Sequence, residues 1–194
     1  MATSVMTVTG PVSGDDLGIT LPHEHLQLDL YRMSRSRDGY LDDLGLAIIE
    51  AQQFKDAGGS TMVDLTTDCF GRDPKMLRQV AEETGLNIIM GCGYYRNPYI
   101  DPAVEKSSVR AITDWILSEI EHGVGDTGIY PGVIGENGCE REWVTPLEER
   151  ALRGAARAQR MTGMPMSLHA NFAPFGLDLL DILEEEGTDL RRVV

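Results

Sequence analysis

In the stretch PGVIGENGCEREWVTPLEERALRGAARAQRMTGMPMSLHA, residues 131–170, the hydrophobic pattern changes period twice. Residues 131–138 form a short apolar run interrupted by glycine, which reads as a strand. Thr145-Pro146-Leu147-Glu148 is a capping box with proline at the first helical position. The helix it opens runs to a glycine stop at Gly163, and MPMSLHA (164–170) is the next strand. Two strands separated by a helix of this length pair in parallel, with the helix as the crossover.

The same theme repeats upstream. A helix is expected over 43–57, with Leu44, Ile48, Ala51 and Phe54 at helical spacing and Gly58-Gly59 as its stop. TMVDLTT (61–67) follows as a strand rich in β-branched residues. Asp73-Pro74 starts a helix that turns Leu77, Val80 and Ala81 inward and ends at Gly85; LNIIMGCG (86–93) is the next strand. Asp101-Pro102 repeats the device, and Val104, Ile112, Trp115, Ile116 and Ile120 predict one helix reaching about His122. A last helix over about 176–186 ends at Gly187, and RRVV (191–194) reads as the opening of another strand.

Strands without strict alternation, such as NIIMG, are expected where both faces of a parallel sheet are covered. No strand-to-helix turn carries a GxGxxG or Walker A loop, which argues against dinucleotide and P-loop folds. The expected fold is therefore α/β, a (β/α)8 TIM barrel. Such barrels typically take about 250 residues. With 194 residues, five strands and the start of a sixth, residues 1–194 read as one incomplete barrel domain, truncated at its C-terminus.

A formal charge of −14 argues against a general nucleic-acid binder, because neutralising phosphates needs a basic surface. No run approaches the ~20 apolar residues of a membrane span. The first residues lack the basic and apolar regions of a secretory signal, so a cytoplasmic location is expected. Cys69, Cys92 and Cys139 are odd in number and have no CxxC spacing, which predicts reduced, buried thiols.

Among four histidines, His23 and His25 stand one residue apart in LPHEHLQLDL (21–30). On a strand, residues i and i+2 point to one side, so both imidazoles converge and Glu24 faces away. Two convergent imidazoles are half of a divalent-metal site, though a hydrogen-bonded core pair is an equal reading of HxH alone. Glu136 ends the strand GVIGE and His169 ends MPMSLH, and catalytic groups of these barrels gather at the C-terminal ends of strands. Three strand ends carrying ligand types shift the reading toward metal. His122, at a predicted helix C-terminus, reads as structural.

TVTGPVSGDDLGITLPHEHL (7–26), GRDPKMLRQVAEETGLNIIMGCGYY (71–95) and the segment 133–170 resemble the phosphotriesterase-like family of the amidohydrolase superfamily. The resemblance implies a barrel with two metal ions, usually zinc, and hydrolytic chemistry through a metal-bridging hydroxide. His23 and His25 match ligands of one metal, and His169 a ligand of the other. The fourth strand of that family normally bears a carbamylated lysine. This chain has Glu136 there, and none of Lys55, Lys75 or Lys106 lies at a strand end. VIGENGC is similar to the glutamate-bearing, phosphotriesterase-related branch, in which a carboxylate bridges the cations. Tyr95 matches a tyrosine that contacts substrate in lactonase members. Arg72 and Asp73 match a family motif, although Asp73 is explained locally as a helix cap. A strand-six histidine and a strand-eight aspartate are implied beyond Val194.

The expected activity is hydrolysis of a small-molecule ester, lactone or carboxylic ester before phosphotriester, with amide hydrolysis a close variant. A rival is a metal-dependent nuclease resembling the TatD family, which the acidic charge and the long lead before HxH disfavour. Another is an inactive barrel fragment or interaction module. A five-strand piece exposes apolar edges, which favours aggregation or a homodimer.

Overall fold

The computed structural model describes residues 4–139, 143–170 and 176–194. Ser4–Thr7 (β1) and Gly10–Ser13 (β2) form an antiparallel hairpin ahead of Thr20–Glu24 (β3). Leu28–Asp29 (β4) and Tyr40–Leu41 (β5) pair across the one-turn helix Tyr31–Ser34 (α1). Then come Leu44–Asp56 (α2), Thr61–Asp64 (β6), Pro74–Thr84 (α3) and Asn87–Cys92 (β7). Pro102–Glu105 (α4), Val109–His122 (α5), Val133–Cys139 (β8), Pro146–Thr162 (α6), Met166–Ala170 (β9) and Gly176–Glu185 (α7) complete the series.

Strands β3, β6, β7, β8 and β9 lie side by side in chain order, every neighbouring pair parallel. That is the order of a (β/α)8 barrel, in which each strand pairs with the one before it. Val193 pairs in parallel with Met166, and Val194 exchanges backbone hydrogen bonds with Met166 and Leu168. Of the RRVV stretch expected to open a strand, Val193 and Val194 pair with β9, while Arg191 and Arg192 lie in a 3-10 turn (Leu190–Arg192).

Period-two alternation sorts the apolar residues into two layers. Met62, Ile88 and Met90 face outward onto Ala47, Ala51, Leu77, Val80 and Ala81 of α2 and α3. Ile134 and Met166 face outward onto Ile112, Ile116, Ala155 and Leu179 of α5, α6 and α7. Leu65, Ile89 and Val133 turn the other way, into the concave face, where Val5 and Leu17 pack on them. The N-terminal hairpin also ties to the sheet through the Val8 N–H donating to the Ile88 carbonyl.

The helix starts follow their local signals. The Asp73 carboxylate accepts from Lys75 and Met76 N–H, and Thr145 and Glu148 form the reciprocal capping box. Gly85 and Gly163 end their helices in the left-handed conformation. One expectation is corrected: residues 101–122 form two helices, not one. Ser107 turns its hydroxyl back onto the Ala103 carbonyl, and Ser108 caps a new helix by accepting from Ala111 N–H. Two adjacent serines offer the backbone an alternative to continuing the helix, and it breaks there. The strand expected over 61–67 ends at Asp64, because the Asp64 side chain captures the Thr66 N–H.

Gly91 on β7 shows how closely β7 and β8 approach. A Cβ there would stand 2.2 Å from the Gly135 carbonyl oxygen, which is backbone and has little room to yield. Gly91→Ala is expected to cost about 1–3 kcal/mol, the usual range for overpacking, read from the urea midpoint.

Candidate metal centre

Glu136 lies at the centre of the candidate site. Its place on β8, two residues beyond the outward-facing Ile134, is re-aimed by an irregularity in the β8–β9 register between Ile134 and Asn137. Gly135 supplies a φ of 144°, open to glycine and rarely to other residues. The Glu136 side chain is 1% exposed, and among the described residues neither carboxylate oxygen accepts from a backbone N–H or a hydroxyl.

Three imidazoles converge on that carboxylate. His23 Nε2 lies 3.3 Å and His25 Nε2 3.5 Å from Oε2, while His169 Nδ1 touches Oε1. The ring centroids of His23 and His25 are 5.3 Å apart. The ligand atoms of His23, His25 and Glu136 all lie within 4.8 Å of one another. His25 falls one residue past β3 and points with His23, as residues i and i+2 of an extended chain do. Glu24 is not part of this group and lines a cavity with Leu46, Ala47 and Ala51 of α2. Burial raises the Glu136 carboxyl, but the imidazoles of His169, His25 and His23 outweigh it and hold the group at about 2.

The donor set fits a divalent cation. A buried carboxylate whose partners among the described residues are three imidazoles is a donor set that a divalent cation satisfies. Imidazole and carboxylate are donors that zinc accepts, and manganese, iron or cobalt as well. One carboxylate oxygen faces two imidazoles and the other a third.

Tyr95 follows β7 and is buried, its hydroxyl 3.4 Å from His169 Nε2. Its ring packs on Phe70, with centroids 4.5 Å apart, and the Arg96 guanidinium sits over it. His122, at the end of α5, contacts the Ser118 carbonyl and, among the described residues, is not part of the group around Glu136. Cys69, Cys92 and Cys139 are buried and in no disulfide, as their spacing predicts.

Two sets of residues escape a sequence reading. Asp64 Oδ2 accepts from Leu26 N–H at 2.7 Å and Oδ1 from Thr66 N–H at 3.0 Å, tying the turn after β3 to the end of β6. Burial pushes the Asp64 carboxyl up to about 6, against those two hydrogen bonds and His25. Arg72 forms a two-pronged ion pair with Glu119 of α5, at 2.8 and 2.6 Å, and also donates to the Gly91 carbonyl. Arg72 is therefore a strut behind the sheet. Among the described residues no helix is long and apolar enough to cross a membrane.

A family model described as the phosphotriesterase family matches residues 3–194. The phosphotriesterase homology protein of Escherichia coli (strain K12) is 34% identical over 182 residues, 94% of this chain and 62% of that protein. The N-acetyltaurine hydrolase of Dictyostelium discoideum is 38% identical over 157 residues, 79% of this chain and 42% of that protein. The crystal structure of a lactonase from Listeria monocytogenes superposes with a TM-score of 0.88 at 27% identity, covering 98% of this chain and 64% of that one. The chain spans less than two thirds of the length of each of these three proteins.

Proposed function

The chain belongs to the phosphotriesterase family, and from that premise we propose a metal-dependent hydrolase of small-molecule acyl compounds whose cations are held by His23, His25, Glu136 and His169. Two ions, zinc first, are the proposed complement. The observation that carries the reading is the buried Glu136 carboxylate, with imidazoles against both of its oxygens and no other polar partner among the described residues.

Divalent cations in such a position polarise a carbonyl or phosphoryl oxygen and lower the pKa of water to ~7. The chain's own residues supply the rest. Glu136 contributes the only negative charge among the four ligands and so sets how much cationic charge the site tolerates. His23 and His25 present Nε2 from one side, and His169 presents Nδ1 from the other. The Tyr95 hydroxyl, beside His169 and backed by Phe70, is the proposed contact to the substrate.

Lactones and carboxylic esters are the first substrate class, supported by the likeness to a lactonase structure. The likeness to an N-acetyltaurine hydrolase supports an amide as the second. Both are attacked at an activated carbonyl carbon, so one site serves either. The purified protein, stripped with chelator and then given zinc, is tested on lactones, aryl esters and N-acyl amides. Turnover is expected to vanish on stripping and return with metal. Chelator-insensitive turnover ends this reading, and cleavage of single-stranded DNA replaces it with the nuclease one.

A further inference from the structure

His23 and His25 both offer Nε2 to Glu136, but only one of them is held from behind. His25 Nδ1 lies 2.9 Å from the Thr66 hydroxyl, and that hydroxyl donates to the Gln27 carbonyl at 2.9 Å. A hydroxyl has a single proton. With that proton given to Gln27, Thr66 can only accept from His25, so Nδ1 carries the hydrogen and Nε2 keeps its lone pair. Among the described residues, His23 Nδ1 makes no such bond.

The threonine is itself fixed. Its N–H donates to Asp64 Oδ1, while Asp64 Oδ2 takes the N–H of Leu26, the residue after His25. Thr66, Asp64 and Gln27 thus close a loop of hydrogen bonds around His25. Thr66 and Asp64 are fully buried and Gln27 is 2% exposed, so water does not compete for these bonds.

We infer that Thr66 is a positioning residue: its hydroxyl sets the tautomer of His25 and aims the Nε2 lone pair at the cation position beside Glu136. This rests on the metal-site reading above, but its first consequence does not need metal. In the metal-free protein, His25 Nδ1 is expected to carry a hydrogen protected from solvent exchange, seen by nitrogen-correlated NMR of the ring. The His23 Nδ1 position is expected to show no such protection.

Thr66→Val keeps the shape and removes the hydroxyl, whereas Thr66→Ser keeps the hydroxyl. Zinc affinity, measured by competition with a chromophoric chelator, is expected to fall about 10- to 100-fold in Thr66→Val, the usual loss for an outer hydrogen bond to a metal ligand. Thr66→Ser is expected to stay near wild type and to keep the protected Nδ1 hydrogen. An unprotonated His25 Nδ1 in the wild-type protein overturns the inference, and that measurement stands even if Thr66→Val fails to fold. Equal zinc affinity in wild type and Thr66→Val also overturns it. Absence of zinc binding in the wild type, with the protected hydrogen present, removes the metal reading and leaves the tautomer assignment standing.

Discussion

Arg72→Met is expected to lower the unfolding free energy by about 3–5 kcal/mol, the cost of removing one partner of a buried ion pair. Domains of this size are stable by only about 5–15 kcal/mol, so the variant should stand near the edge of folding. The geometry sets the size of the effect. Arg72 and Glu119 are 8% and 7% exposed, joined by two parallel hydrogen bonds, with a third from Arg72 to the Gly91 carbonyl. Burial opposes the Arg72 charge, but Glu119 outweighs it and raises the guanidinium further. Without Arg72, Glu119 remains as an unpaired buried carboxylate on α5. Arg72→Lys is no substitute, since an ammonium cannot reproduce the two-pronged contact. If the lone carboxylate is the cause, Glu119→Leu added to Arg72→Met should recover most of the loss, because replacing both charges is often near neutral. Urea unfolding of both single variants and the double variant reads this coupling. A single-variant loss below about 1 kcal/mol, the range of an exposed pair, would show that water reaches the pair.

That strut illustrates where the sequence falls silent. The helix starts at Asp73, Thr145 and Asp101 are visible because their chemistry is local, each cap bonding an N–H two or three residues on. The parallel order of strands follows from the alternation of period, and the inward turn of Leu65, Ile89 and Val133 follows from counting by two. His23, His25, Glu136 and His169 are legible as candidates because they cluster at strand ends, and the structure brings all four together. The bonds that aim them are not legible. Thr66 meets His25 across 41 positions, Asp64 meets Leu26 across 38, and Arg72 meets Glu119 across 47. Thr66 and Asp64 read along the chain as ordinary strand residues, Arg72 only as part of a motif, and nothing local marks any of their partners. The break at Ser108 is a different failure: the apolar face runs through both helices, and the period hides a change of hydrogen bonding that two serines make possible.

Glu136→Gln is expected to abolish tight cation binding and hydrolysis together while leaving the fold intact. Glutamine keeps the length and shape of the side chain, so β8 and its neighbours need not move. What changes is charge. Glutamate with three neutral imidazoles gives a donor set of −1, and glutamine gives zero. A divalent cation held there would be left without an anion among these four ligands. The amide also presents N–H hydrogens toward one side of the site, where a cation needs a lone pair. The loss in zinc affinity should exceed about 100-fold, more than an outer hydrogen bond accounts for, and both proposed ions should be affected because His23 and His25 face one oxygen and His169 the other. Metal equivalents per chain, the zinc competition constant and the thermal midpoint of the stripped protein separate the possibilities. A Glu136→Gln protein that keeps wild-type zinc content would place the cation elsewhere. One that loses both zinc and its thermal transition would make Glu136 a structural residue. A bridging carboxylate predicts a stripped variant that melts as a folded protein and no longer responds to zinc.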